Sequence, residues 1–246
     1  MQAKKTRIIK RIVDVSMTVL LLFLMAYQVT GEKLHEWIGI GMTAVLILHH
    51  ILNLKWYASL FQGKYNAYRT VTVVINTLLL VSITLTALCG MAMSAYAVPF
   101  MYGMLPVTFA RRFHLVMSFW SFVLMGVHLG LHVPAMTAGM FRNGKAKWIA
   151  AAAAALVTGL GFWCFFRNRI PDYLFFRTPF AFFDYEKAAV VVFIENLSIL
   201  TAFAFLGACC PVTIRALGKH DDRAMTGIAA LVIGAAVVVL VLSLII

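Results

Sequence analysis

Long apolar runs recur along the chain, separated by short polar or glycine-containing connections. Seven of them, at about residues 12–30, 36–56, 70–95, 113–135, 148–166, 188–212 and 225–246, approach the roughly twenty residues that a helix needs to cross a hydrocarbon core. The pattern predicts an all-α fold, a polytopic transmembrane helical bundle of about seven spans. The first run breaks at Gly31 and a very short connection follows, so spans one and two are expected to be antiparallel neighbours. Residues 1–136 hold four of the spans and are read as one core. Residues 137–246 hold three further spans and a segment rich in aromatics, RNRIPDYLFFRTPFAFFDYEK, expected to lie along the outer interface or to cover the outer face of a bound cofactor.

Composition agrees with this pattern. Of 246 residues, 63% are hydrophobic and only 12% are charged, with mean hydropathy +0.92, far more apolar than a water-soluble domain can hide. A net charge of +12 in a soluble chain would suggest nucleic acid. Here the basic residues sit between spans and act as topology signals, and no nucleic-acid partner is expected. With the N-terminus inside, fourteen of the twenty-one Lys and Arg residues fall on the cytoplasmic side: five in the basic start, then Lys55, Lys64 and Arg69, then Arg142, Lys145 and Lys147, then Arg215, Lys219 and Arg223. The expectation is a multi-pass protein of the cell membrane, in contact with lipid, its N-terminus cytoplasmic and its C-terminus extracytoplasmic. The start KKTRIIKR followed by an apolar run lacks a small-residue cleavage site and is read as a retained helix. Cys89, Cys164, Cys209 and Cys210 lie in or beside spans without haem-attachment or zinc spacing, and read as packing residues.

The candidate chemistry lies in histidines. His35 and His49 are separated by fourteen positions in span two, and His114 and His128 by the same fourteen in span four. Fourteen residues turn a helix by about 1400°, within roughly 40° of four full turns, so each pair shares one stripe. The members stand roughly 21 Å apart along the axis, one near each edge of a core about 30 Å thick. Spans two and four are separated by one span and run parallel, which sets His35 level with His114 and His49 level with His128. The ordinary alternative for each ring is a buried, hydrogen-bonded histidine. Four rings at matched depth favour a common role as axial ligands of two stacked haems in a cytochrome b-like four-helix core. A bis-histidine iron has no vacant position, so its chemistry is one-electron transfer.

Other residues take secondary places. Gly39 lies one turn after His35, where the missing side chain would admit a macrocycle; helix packing is its alternative. Arg111 and Arg112 immediately precede His114 and are candidates to pair with haem propionates, against a solvated helix start. His50 and His132 compete as ligands, but their spacings do not match in depth, and a propionate, proton or quinone role is their alternative to simple interfacial histidines. Glu195 is weighed in the same way. Asp14 is expected to pair with Lys10 or Arg11 and is assigned no chemistry.

The runs TGEKLHEWIGIG, LHHILNLKWY, GKYN, GMAMSAY and RRFHLVMSFWSFVLMGVHLGLH, in that order over about residues 10–135, resemble the flavinylation-associated cytochromes of bacterial membranes. FRNRIPDYLFF and FFDYEKAAV resemble later segments of longer members. Gln28 stands where relatives often have His. The resemblance implies two haem b groups, held at His35, His49, His114 and His128. It also implies electron passage between the membrane pool, with quinone as a candidate donor, and a flavin-bearing extracytoplasmic protein. Two rivals remain. One is a ferric-reductase-like core working with a separate reductase partner, since no G-x-G-x-x-G nucleotide motif exists here. The other is a haem-free transporter or assembly subunit that uses Glu195 and the histidines as a proton path.

Overall fold

The computed structural model describes residues 2–137, 144–216 and Met225. Among them every regular element is helical. The long helices are α1 (Gln2–Met25), α2 (Tyr27–Leu52), α4 (Ala67–Met91), α5 (Val107–Thr137), α6 (Gly144–Arg167) and α8 (Ala189–Ala216), with short helices α3 (Leu54–Ser59) and α7 (Ile170–Leu174) between them. Five of these are long and apolar enough to cross a membrane, over Tyr27–Leu52, Ala67–Met91, Val107–Val133, Trp148–Arg167 and Ala189–Pro211. They match five of the seven expected spans to within a few residues at most ends and define a multi-pass membrane architecture. The expected last span, 225–246, lies outside the described residues except for Met225. Helix α1 is long, but charged residues from Lys4 to Asp14 crowd its first half.

The chain divides into two compact units. The first comprises Met1–Gly63, Ala87–Arg111 and Phe182–Phe193. Its frame is the antiparallel hairpin of α1 and α2. Helix α1 ends at Met25, the fully buried Ala26 leaves helical geometry, and Gly31 turns the chain at φ +65° before α2 continues. That left-handed backbone suits glycine. The register of the hairpin is set by contacts at both ends: Asp14 meets His49 at 2.9 Å, while Leu24 is the one atom set within 4.0 Å of where a Gly39 methyl would stand. Ten residues separate the contacts on each helix, as antiparallel packing demands. Lys10 does not pair with Asp14. Its Nζ crosses to Asn53 Oδ1 at 2.8 Å, and Asn53 Nδ2 donates to the His49 carbonyl at 2.8 Å, closing the end of α2.

The second unit comprises Lys64–Thr86, Arg112–Ala181 and Ile194–Ile246. Helix α4 starts at the N-cap Asn66, whose Oδ1 accepts the Arg69 amide at 2.9 Å. Helices α4 and α5 run antiparallel, joined by polar contacts along their length: Tyr68 hydroxyl to the Leu131 carbonyl, His128 to Asn76, Ser121 to Ser82, and His114 to the Thr86 carbonyl. Residues 114, 121 and 128 recur every seven positions, one stripe of α5. Two residues to either side of His128, on the opposite face, Gly126 and Gly130 take α8. A methyl at Gly130 would overlap the Ala204 carbonyl, and one at Gly126 would stand 2.7 Å from Phe203 Cβ. Gly161 of α6 meets the Ser198 carbonyl in the same way, whereas Gly159 has open space. Small residues let these backbones approach, the contact that lipid-embedded helices rely on.

The aromatic segment after α6 is anchored rather than loose. Within the second unit Tyr173 stacks on Phe119 at 4.7 Å, Trp120 Nε1 donates to the Leu174 carbonyl at 3.0 Å, and Phe176 meets Phe113 edge-on. Asp172 holds Arg169 at 2.9 Å and Arg177 at 3.6 Å.

Candidate functional site

Each histidine ring has two nitrogens, and which one carries the proton follows from what the other atoms around it accept or donate. His114 Nδ1 lies 2.9 Å from the Thr86 carbonyl oxygen. A carbonyl only accepts, so Nδ1 carries the hydrogen and, in the neutral ring, Nε2 carries the lone pair. His128 Nδ1 lies 2.8 Å from Asn76 Oδ1, and His49 Nδ1 lies 2.9 Å from Asp14 Oδ1. Three of the four equally spaced histidines therefore have the same nitrogen tied to an oxygen acceptor. This is the arrangement that fixes the tautomer and orientation of metal-ligating imidazoles. His35, the fourth, is set against the Tyr27 ring, edge to face at 5.1 Å.

The residue beside His35 is the most heavily bonded carboxylate in the first unit. Glu36 accepts from the Ser94 hydroxyl at 2.7 Å and from three successive backbone amides, Ala95, Tyr96 and Ala97, at 2.8 to 3.0 Å. Ser94 Oγ in turn accepts the Val98 amide. The uncharged loop after α4 is thus pinned to the start of α2. On the other side of Tyr27, Phe183 stacks at 5.1 Å, so part of the aromatic segment covers His35 through one intervening ring.

The remaining candidates fall out differently. Gly39 is not needed for packing α2 on α1, since an added methyl would only graze Leu24 Cδ2. Arg111 and Arg112 are exposed in the second turn of α5, with no side-chain hydrogen bond or ion pair to either among the described residues. His50 Nδ1 lies 2.7 Å from the Tyr57 hydroxyl. Burial pushes the Tyr57 phenol above its ordinary value, so it stays protonated and can donate or accept, leaving the His50 tautomer open. His132 is exposed, edge-on to the His128 ring at 4.9 Å. Glu195 is buried and accepts from Asn168 Nδ2 at 2.9 Å. Asp14, expected to neutralise a neighbouring cation, is instead the partner of His49.

The donor set suits a haem. Among the described residues no three His, Cys, Asp or Glu side chains converge as a metal-ion site, whereas axial ligation of haem iron asks for only two imidazoles. His35 and His49 belong to the first unit, His114 and His128 to the second. Comparison with protein-family models, curated proteins and solved structures gives no match. Asn76, Asp14 and Glu36 are the contributors that sequence reasoning passed over. A lone amide in the apolar run of α4 and a carboxylate adjoining His35 are polar groups at membrane depth, and that is the signal that marks them.

Proposed function

We propose that the chain is a transmembrane electron-transfer protein that holds two b-type haems through His35, His49, His114 and His128. The observation that carries the reading is the shared Nδ1 anchoring of His49, His114 and His128 to oxygen acceptors, on helices whose histidine spacing is identical. Bound haem supplies one-electron chemistry; the chain supplies the ligands and their surroundings. Thr86, Asn76 and Asp14 hold three imidazole planes in place. Gly39 would leave clearance beside His35, and the exposed guanidinium groups of Arg111 and Arg112 would hold haem propionates. Tyr27, backed by Phe183, would keep water from His35.

Chain direction supports the pairing. In this reading the single crossing of α4 between α2 and α5 makes those two spans parallel, and equal spacing would pair His35 with His114 and His49 with His128. Helix α1 lies along α2 from Lys10 at Asn53 to Leu24 at Gly39, which supports reading it as a span too, with its basic end cytoplasmic in the cell membrane. The inner donor in this reading is a quinol and the outer acceptor a flavin-bearing extracytoplasmic protein. The resemblance in the α1 to α5 sequence favours that pair of partners.

The test is haem content by pyridine haemochrome in double variants. If His49 and His128 share one haem, His49→Ala with His128→Ala leaves one haem per chain, as each single variant does, whereas His49→Ala with His114→Ala leaves none. Equal haem content in the two double variants would refute the pairing, and wild-type protein without haem would refute the function.

A further inference from the structure

The three acceptors behind the anchored histidines differ in charge, and this difference has a consequence for the direction of electron flow. His114 donates to a backbone carbonyl, His128 to an amide oxygen and His49 to a carboxylate. A neutral acceptor orients a ring. An anionic acceptor also pushes electron density through the ring onto Nε2, raising ligand basicity and favouring the more highly charged state of a bound metal. Nothing offsets the Asp14 charge at the carboxylate itself: among the described residues no Lys or Arg forms an ion pair with it, and Lys10, one turn away, is committed to Asn53. Asn53 also accepts from Lys10 while donating to the His49 carbonyl, so the lysine is held at the neck of the helix rather than against Asp14.

We infer that Asp14 is a positioning residue that sets the haem bound by His49 below the other in reduction potential, so that electrons run from the cytoplasmic side outward. The inference rests on the di-haem reading above. The carboxylate is 48% exposed, so solvent screens part of its effect, and a shift near the lower end of the range for such partners is expected: about tenfold in the ferric-to-ferrous equilibrium, which is about 59 mV for a one-electron couple.

The experiment is a potentiometric titration of the purified, haem-loaded full chain, following the two haem waves optically, with haem content measured in parallel. Asp14→Asn keeps an oxygen acceptor and removes the charge. It should raise the lower-potential wave about tenfold in equilibrium constant while the upper wave stays in place. Asp14→Glu keeps the charge and should leave the lower wave near the wild-type position, even if Asp14→Asn binds haem poorly. With two haems bound, an unmoved lower wave in Asp14→Asn, movement of the upper wave alone, or an Asp14→Glu lower wave raised as far as the neutral variant is expected to go would overturn the inference. Wild-type protein that binds no haem would instead overturn the reading beneath it, and the haem assay separates that outcome from the others.

Discussion

Helices α2 and α5 carry the same histidine spacing in very different surroundings. Half of the apolar stretch of α5 is buried, against 6% of that of α2. On α5, one stripe is bonded to α4 through His114, Ser121 and His128, and the opposite face is locked to α8 by Gly126 and Gly130. On α2, packing is confined largely to α1 and polar contacts cluster at the ends: Glu36 at one, His49 and Asn53 at the other. The difference teaches that identical histidine spacing can be held in two ways. One helix is fixed by its length, the other largely by its ends, and in the middle of α2 Met42 is buried while a methyl added at Gly39 or Gly41 would meet little or nothing within 4 Å.

The sharpest way to break the comparison is at the ligands. His128→Ala should remove one haem of two and His132→Ala neither, as read by haemochrome, because only His128 has its Nδ1 tied to Asn76; the reverse result would move the ligand one turn along α5. Next, packing should be sensitive on α5 and tolerant on α2. Gly130→Leu overlaps the Ala204 carbonyl and should destabilise the protein by about 3 kcal/mol, whereas Gly41→Leu, with nothing within 4 Å, should stay within about 0.5 kcal/mol. Thermal unfolding in detergent measures both, and equal effects would erase the contrast. At the end of α2, Glu36→Ala removes the acceptor of four hydrogen bonds and should cost about 2 kcal/mol, with faster proteolysis at residues 95–98; Glu36→Gln should cost less, since it retains one acceptor oxygen. The smallest effect is expected for Asn76→Ala, which leaves His128 in place but loosens its ring, lowering haem affinity about tenfold.

Much of the fold was legible because hydrophobic length is a strong signal in a membrane chain: five spans were found near their observed positions, and Gly31 was recognised as a break. The ends were less so. Helix α1 begins within the basic start, since lysine and arginine are good helix formers, and it ends at Met25 ahead of the break at Gly31. The partners of the histidines were not legible at all. Asp14 lies beside Lys10 and Arg11 in sequence, and local charge pairing pointed there; only the antiparallel register of α1 on α2 brings it to His49. Asn76 likewise acts across helices and Glu36 from a helix to a distant loop, through contacts that no periodicity within one helix encodes. The α5 glycines at 126 and 130 stand in a small-xxx-small spacing, but that spacing does not name α8 as the helix they meet.

The most direct measurement is the haem-to-chain ratio of the purified wild-type protein, from pyridine haemochrome against quantitative amino-acid analysis. Two haem b per chain is the predicted result. A protein that folds with none would return the four histidines to the role of buried, hydrogen-bonded side chains and contradict the proposed function.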